Sequence, residues 1–142
     1  MAVEAIHLGE PKRAPLRAVD SVRAVAGKGL EGDRKFHAQG AKPGQALTLV
    51  EAENVEAAGL APGETRRQVT TRGVRLNDFV GKRFRVGEVE CYGVELCEPC
   101  QHLQSMTRPG IIKELAHRAG INADILNGGT ISVGDEVAEL TA

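Results

Sequence analysis

Phe84-Arg-Val-Gly-Glu-Val-Glu-Cys-Tyr-Gly-Val-Glu-Leu96 is the stretch that decides the fold. Residues 84–86 and 89–96 are apolar, β-rich runs broken at Gly87-Glu88, which reads as two strands joined by a tight turn. In the second run the apolar parity slips. Val89 and Cys91 share one face while Tyr92, Val94 and Leu96 share the other, and a bulge or barrel corner near Cys91 accounts for it. The same pattern repeats outward. Residues 2–8 read as an opening or edge strand, 21–26 as a strand stopped by Gly27-Lys28-Gly29, and 46–50 as a short strand. Residues 65–71 are extended. Residues 123–126, 131–133 and 137–140 form a hairpin-like series turning at Asn127-Gly128-Gly129 and Gly134-Asp135.

Helical signals are short. Residues 51–58 carry acids in the first turn and end at Gly59, and residues 76–80 make one turn closed by Gly81. Ile111, Ile112, Leu115, Ala116 and Ala119 lie at helical spacing between Pro109 and Gly120, opposite Lys113, Glu114, His117 and Arg118. Residues 11–15 read as a loop. Residues 27–44, rich in Gly and Pro, read as a long structureless one, which inside a small domain is usually functional. The expected fold is mainly β with short α-helices (α+β), a β-barrel decorated by helices.

At 142 residues the chain is one domain, long enough to bury roughly two-thirds of its unfolded surface without disulfides. Lys plus Arg is 18 and Asp plus Glu is 19, a net charge of -1, so no nucleic-acid partner is expected. Apolar residues at 42% and charged residues at 26% exclude global disorder. No apolar run approaches the roughly 20 residues that span a bilayer, so no membrane association is expected. The start, Met1-Ala-Val-Glu4, shows no signal-peptide pattern. Three cysteines, Cys91, Cys97 and Cys100, fit reduced thiols in the cytoplasm.

Cys97-Glu98-Pro99-Cys100-Gln101-His102 is the sharpest chemical signal. Thiols at this spacing can close a redox disulfide or supply half a zinc site. Zinc needs two more ligands, only His102 and His117 are near, and a second Cys-x-x-Cys is missing, so zinc is not expected. A dithiol motif belongs in a βαβ setting, and this neighbourhood is a meander. Cys97 ends a strand, where a small buried hydrophobe is the plainer reading. Cys100 follows Pro99 at a helix start, where the dipole favours a thiolate that can ligate a soft metal, attack an electrophile or carry a persulfide. His102 lies two residues on, as a candidate partner of that thiolate.

Two segments concentrate positive charge. Residues 65–75 hold Arg66, Arg67, Arg72 and Arg75 and no acid, and residues 29–37 add Arg34, Lys35 and His37 beside flexible glycines. Guanidinium forks suit phosphate and carboxylate oxygens, and glycine-rich backbone approaches such anions closely. Any one of these arginines is most simply solvated surface. Their clustering in a chain of balanced charge favours a local anion site, with residues 27–44 and 66–75 meeting across one cavity.

Gly29-Leu-Glu-Gly-Asp-Arg34, Arg67-Gln-Val-Thr-Thr, Leu76-Asn-Asp-Phe-Val-Gly81, Phe84-Arg-Val-Gly-Glu-Val, Pro99-Cys100, His117-Arg-Ala-Gly120 and Gly128-Gly-Thr-Ile-Ser-Val-Gly134-Asp135 follow one another in order. This series resembles the MOSC domain, named for the C-terminal domain of molybdenum cofactor sulfurases, across nearly the whole chain. The resemblance implies a MOSC-type β-barrel with Cys100 as molybdenum ligand or sulfur carrier. Larger relatives such as the mitochondrial amidoxime reducing component hold a molybdenum-pterin cofactor, with cationic side chains on the pterin phosphate. Asp33, Arg34, His37, Arg67, Thr70 and Arg72 are the cofactor-binding candidates here, with Arg34, Arg67 and Arg72 on the phosphate. The 142 residues lack the extra N-terminal β-barrel region and the pyridoxal-phosphate aminotransferase-like domain of larger relatives. No lysine site for pyridoxal phosphate is evident.

Three functions follow as expectations. The first is a molybdenum enzyme reducing small N- or S-oxygenated molecules. The second is a metal-free sulfur carrier, sulfurtransferase or carbon–sulfur-cleaving protein served by a sulfur-donor protein, with Cys100 as nucleophile and Cys97 as resolving thiol. The third is a module that only binds an anion.

Overall fold

In the computed structural model, which describes residues 2–9, 16–33, 36–61, 63, 66–97 and 119–140, strands supply nearly every regular element. They are β1 (Ala2–Leu8), β2 (Arg17–Val19), β3 (Ser21–Val25), β4 (Gly29–Leu30), β5 (Leu47–Glu51), β6 (Val69–Arg72), β7 (Arg83–Val86), β8 (Val89–Leu96), β9 (Ile121–Ile125), β10 (Gly129–Ser132) and β11 (Val137–Glu139). One α-helix, α1 (Ala52–Ala57), and one 3-10 turn (Leu76–Phe79) complete the described elements.

The larger sheet runs β11-β7-β8-β9-β5-β6-β1-β2, and a smaller one runs β10-β3-β4. All described strand pairs are antiparallel except β5 with β6, which α1 and the following loop connect as a crossover. An antiparallel bridge joins Ala2 to Glu136, and the Val3 N–H donates to Asp135 O at 2.8 Å. The large sheet therefore curls into a half-barrel until β1 touches the chain entering β11.

Side-chain alternation explains which faces are covered. In β3, Val22 and Ala24 are buried while Ser21 and Arg23 are exposed, as expected of a strand with one wet face. In β5, Leu47 to Val50 are all buried. Leu47 and Leu49 point into the barrel core with Phe84, Val86, Cys91 and Ile121, whereas Val50 packs with Val55, Ala58, Leu60 and Ala119 under α1. A strand covered on both faces reads as a continuous apolar run.

Several sequence expectations change in three dimensions. The C-terminal strands do not form hairpins with one another: β9 pairs with β8 and β5, β10 with β3, and β11 with β7. The reason is edge availability, since both edges of β9 are already taken. The parity slip in β8 lies at Gly93–Glu95 rather than at Cys91. Gly93 passes so close to the 3-10 turn that a Cβ there would collide with Phe79 O. Residues 27–44 are not wholly structureless, because Gly29 and Leu30 pair with Val25 and Ala24. The strand at Arg17–Val19, at one edge of the large sheet, carries no signal in the local sequence pattern. The expected helix at 111–119 and the turn after Cys100 lie outside the described residues, apart from Ala119, which is buried. Among the described residues, no helix is long and apolar enough to cross a membrane.

Candidate functional site

Three consecutive polar side chains, Arg66, Arg67 and Gln68, are buried just before β6. Burying such groups is costly unless each finds hydrogen bonds, so their partners define the interior of this region. Arg66 takes positive φ at 61°, which a non-glycine residue adopts only under constraint from its surroundings.

Gln68 is the hub of a buried network. Its Oε1 accepts the Thr48 N–H at 2.9 Å, and its own N–H donates to Thr48 Oγ1 at 2.9 Å. Its Nε2 donates to Asp33 Oδ2 at 2.7 Å, and Asp33 Oδ1 accepts the Gly9 N–H at 2.7 Å. Asp33 of the 27–44 loop is thereby tied to β5, β6 and the end of β1. Residues 27–44 and 66–75 touch at this point through the Asp33–Gln68 bond, and not across a cavity among the described residues.

Arg67 turns the other way. Its Nε donates to Ala119 O at 3.0 Å and its Nη2 to Cys97 O at 3.4 Å. The Cys97 N–H donates to Gly120 O at 2.8 Å. One guanidinium therefore ties the end of β8 to the residues that lead into β9. Gly120 has φ 99° and packs so tightly on β5 that a Cβ would collide with Leu49 O. No other residue type fits there without displacing the strand.

Beside this network lies a cleft of about 360 Å³ lined by His37, Gly44, Gln45, Thr48, Cys97 and Asn122. The Gly44 N–H donates to Asp124 Oδ1 at 2.8 Å, which fixes the turn at the rim. Asn122 Nδ2 reaches Glu95 Oε1 at 3.3 Å. A larger groove of about 590 Å³, with Arg75, Asp78, Phe79, Lys82 and Glu139 in its lining, carries no thiol or imidazole. Its cations are matched, with Arg75 3.7 Å from Asp78 and Lys82 3.0 Å from Glu139. Of these two, the smaller cleft is the one that holds a thiol and an imidazole.

The structure distributes the sequence candidates unevenly. His37 and Cys97 share the cleft, Asp33 lies in the network bonded to Gln68, and Arg67 binds the backbone beside Cys97. Thr70 is buried in β6 between Ala5 of β1 and Val50 of β5. Arg72 is exposed and bonds Glu4 and Glu56. Those bonds raise its already high pKa, and the Arg72 bond pulls the Glu4 carboxyl below its usual range. Arg34, Cys100 and His102 lie outside the described residues. Cys91 is fully buried, and burial, reinforced by the Asp124 and Glu90 charges, pushes its pKa up to about 12. Such a thiol is inert at neutral pH. Among the described residues, no three His, Cys, Asp or Glu side chains converge to hold a metal.

Thr48, Gln68, Gln45 and Asn122 were not singled out by sequence. Gln68 carried the best available signal, a polar residue between Arg67 and the Val-Thr-Thr run of a strand. Thr48 and Asn122 read as ordinary strand residues.

Known proteins share this architecture. The chain superposes on the YuaD protein of Bacillus subtilis with a TM-score of 0.77 at 17% identity, covering 95% of this chain and 92% of that one. It superposes on YiiM of Geobacillus stearothermophilus with a TM-score of 0.75 at 18% identity, covering 99% of this chain and 75% of that one. For YiiM of Escherichia coli the TM-score is 0.71 at 18% identity, covering 100% of this chain and 71% of that one. At these identities the likeness is one of fold. A sequence search of curated proteins finds no significant match. The family model described as the MOSC domain matches residues 33–138, from the Asp33 of the buried network to the middle of β11, and the chain belongs to the MOSC-domain family.

Proposed function

We propose that this MOSC-domain protein holds a molybdenum-pterin cofactor through the Cys100 thiolate and reduces small N- or S-oxygenated molecules. The observation that carries the reading is the cleft walled by Cys97, His37, Thr48 and Asn122, since Cys97 lies three residues before Cys100 in sequence. Its volume of about 360 Å³ falls within the roughly 300–1,000 Å³ of small-molecule sites. Gln45 and Asn122 offer the neutral donors and acceptors that a pterin edge needs, and no carboxylate among the described lining residues opposes an anion. The described residues thus fit the organic part of the cofactor. Cys100, with His102 beside it in sequence, is assigned the metal by resemblance.

When bound, the cofactor would supply two-electron chemistry at molybdenum. The chain's own residues bind and orient. Arg34, Arg67 and Arg72 are assigned to phosphate oxygens, His37 to the cleft wall, and Asp33 holds the Gly9 backbone N–H. Arg72, engaged with Glu4 and Glu56, is the weakest member of the proposed set.

The test is metal analysis of protein made in a host that synthesises the cofactor. Molybdenum is expected in the wild type and in Cys97→Ser, and not in Cys100→Ser. Metal-free wild type, or Cys100→Ser that keeps its molybdenum, overturns the reading.

The placement of Cys97 in the cleft supports a second reading as a sulfur carrier in the cytoplasm, where thiols stay reduced. The Cys100 thiolate would attack the terminal sulfur of a donor protein's persulfide, and the donor thiolate would leave. Cys97 would then attack the inner sulfur, closing a Cys97–Cys100 disulfide and releasing hydrosulfide. A reductant-sensitive mass increase of one sulfur on Cys100 selects this reading. Phosphate binding with neither metal nor added sulfur selects an anion-binding module.

A further inference from the structure

We infer that Gln68 is a positioning residue that sets the two walls of the cleft against each other. The inference rests on the cleft being the functional site. Thr48 lines one wall from β5, and His37 lines another from the 27–44 loop. Gln68 is 4% exposed and touches both sides of this division through one amide group.

The direction of that amide is forced. The Thr48 backbone N–H can only donate, so the carboxamide oxygen must face it, at 2.9 Å. The NH₂ end then points at Asp33, whose Oδ2 accepts it at 2.7 Å. Both Asp33 oxygens are thus acceptors, one for Gln68 and one for Gly9. From Asp33 the loop is carried to the cleft by its own backbone. The Phe36 N–H donates to Asp33 O at 3.0 Å, and the His37 N–H donates to Lys28 O at 2.9 Å. A displacement of Asp33 therefore moves the segment that presents His37. A buried amide with both ends used specifies one arrangement, because any slip leaves polar groups without partners away from water.

The geometry points to a specific pattern of damage and rescue. Asp33→Asn turns an NH₂ group towards the NH₂ of Gln68. Gln68→Glu turns a carboxylate towards the carboxylate of Asp33. The double variant D33N/Q68E reverses the bond and restores it. The introduced asparagine donates to one oxygen of the introduced glutamate and still accepts from Gly9. The other oxygen of that glutamate still accepts from Thr48. Net charge is unchanged.

The experiment measures thermal unfolding together with the iodoacetamide alkylation rate of Cys97, located by peptide mass spectrometry across pH 6–9. Cys91 serves as the internal control, because its labelling reports global opening. Each single variant is expected to change the Cys97 rate by about fivefold or more while Cys91 stays protected, and the double variant to return it to about the wild-type value. If a single variant does not fold, a folded double variant with wild-type Cys97 reactivity still supports the inference. It is overturned if the single variants melt earlier but keep the wild-type Cys97 profile, since the network then only adds stability. It is also overturned if the double variant is no better than the singles. Neither measurement uses metal or turnover. Protein that stays molybdenum-free when made in a cofactor-producing host, yet shows the rescue, would therefore remove the cofactor reading and leave the role of Gln68 standing.

Discussion

Arg67 and Arg72 are five positions apart in one cationic segment, yet the fold puts them to opposite uses. Arg67 is buried and spends Nε and Nη2 on the carbonyls of Ala119 and Cys97. Arg72 stands at the far end of β6 in water, between Glu4 and Glu56. A guanidinium removed from water leaves buried carbonyls without partners when it is deleted, whereas an exposed one exchanges its carboxylates for solvent at little cost. Identical side chains in one charge run therefore carry different weight. Burial, rather than charge, separates the arginine beside the cleft from the one on the surface.

The comparison breaks if the two arginines prove equivalent. Arg67→Ala is expected to lose about 2–4 kcal/mol of unfolding free energy in urea, through lost packing and carbonyls stranded away from water. An Arg67→Ala protein as stable as wild type would show that these bonds carry nothing. Gly120→Ala sharpens the same end of the comparison. A Cβ meets Leu49 O, and φ is 99°, so a loss of about 2–3 kcal/mol is expected from collision and backbone strain together. Gly81→Ala is the control, with similar φ at 81° and nothing within 4 Å of its Cβ. It is expected to cost clearly less.

A third contrast concerns the imidazoles, since His7 is buried while His37 lines the cleft. His7 Nδ1 is buried and has no hydrogen-bond partner among the described residues, and burial lowers its pKa. The unfolded chain therefore binds a proton, near pH 6.5, that the folded chain resists. Stability is expected to fall as pH drops from about 7 through 6.5, until the lower folded value is reached. His7→Gln should flatten that part of the pH–stability curve, and an unchanged slope would assign it to other groups. The smallest effect is expected at Arg72. Arg72→Ala should leave the melting temperature near that of wild type, with any difference shrinking further in about 0.5 M salt, where screening is stronger than at physiological ionic strength.

Legibility followed the range of the interactions involved. The strand at Ala2–Leu8, the paired runs of β7 and β8, and the short α1 are visible locally, because alternation, a Gly-containing turn and an acidic first turn each lie within a few residues. Asp33, His37, Arg67 and Cys97 could be named from residue type and the order of motifs, and the fold draws them to one region. Gln68 and Thr48 could not, because an amide or hydroxyl inside a strand acquires meaning only from what stands opposite it.

By itself the sequence determined a MOSC-type fold, mainly β, with two cationic segments and a cysteine pair at close spacing. Periodicity, turn residues and motif order are written along one dimension and survive without the fold. Only the tertiary structure decided that β9 takes β8 and β5 and leaves β10 to β3, that the half-barrel closes at Ala2 and Glu136, and that Cys97 faces the same cleft as His37. It alone set Arg67 on backbone carbonyls and Arg72 in solvent. These outcomes depend on which strand edges remain unfilled and which side chains lose water, and both are settled by residues distant in the chain.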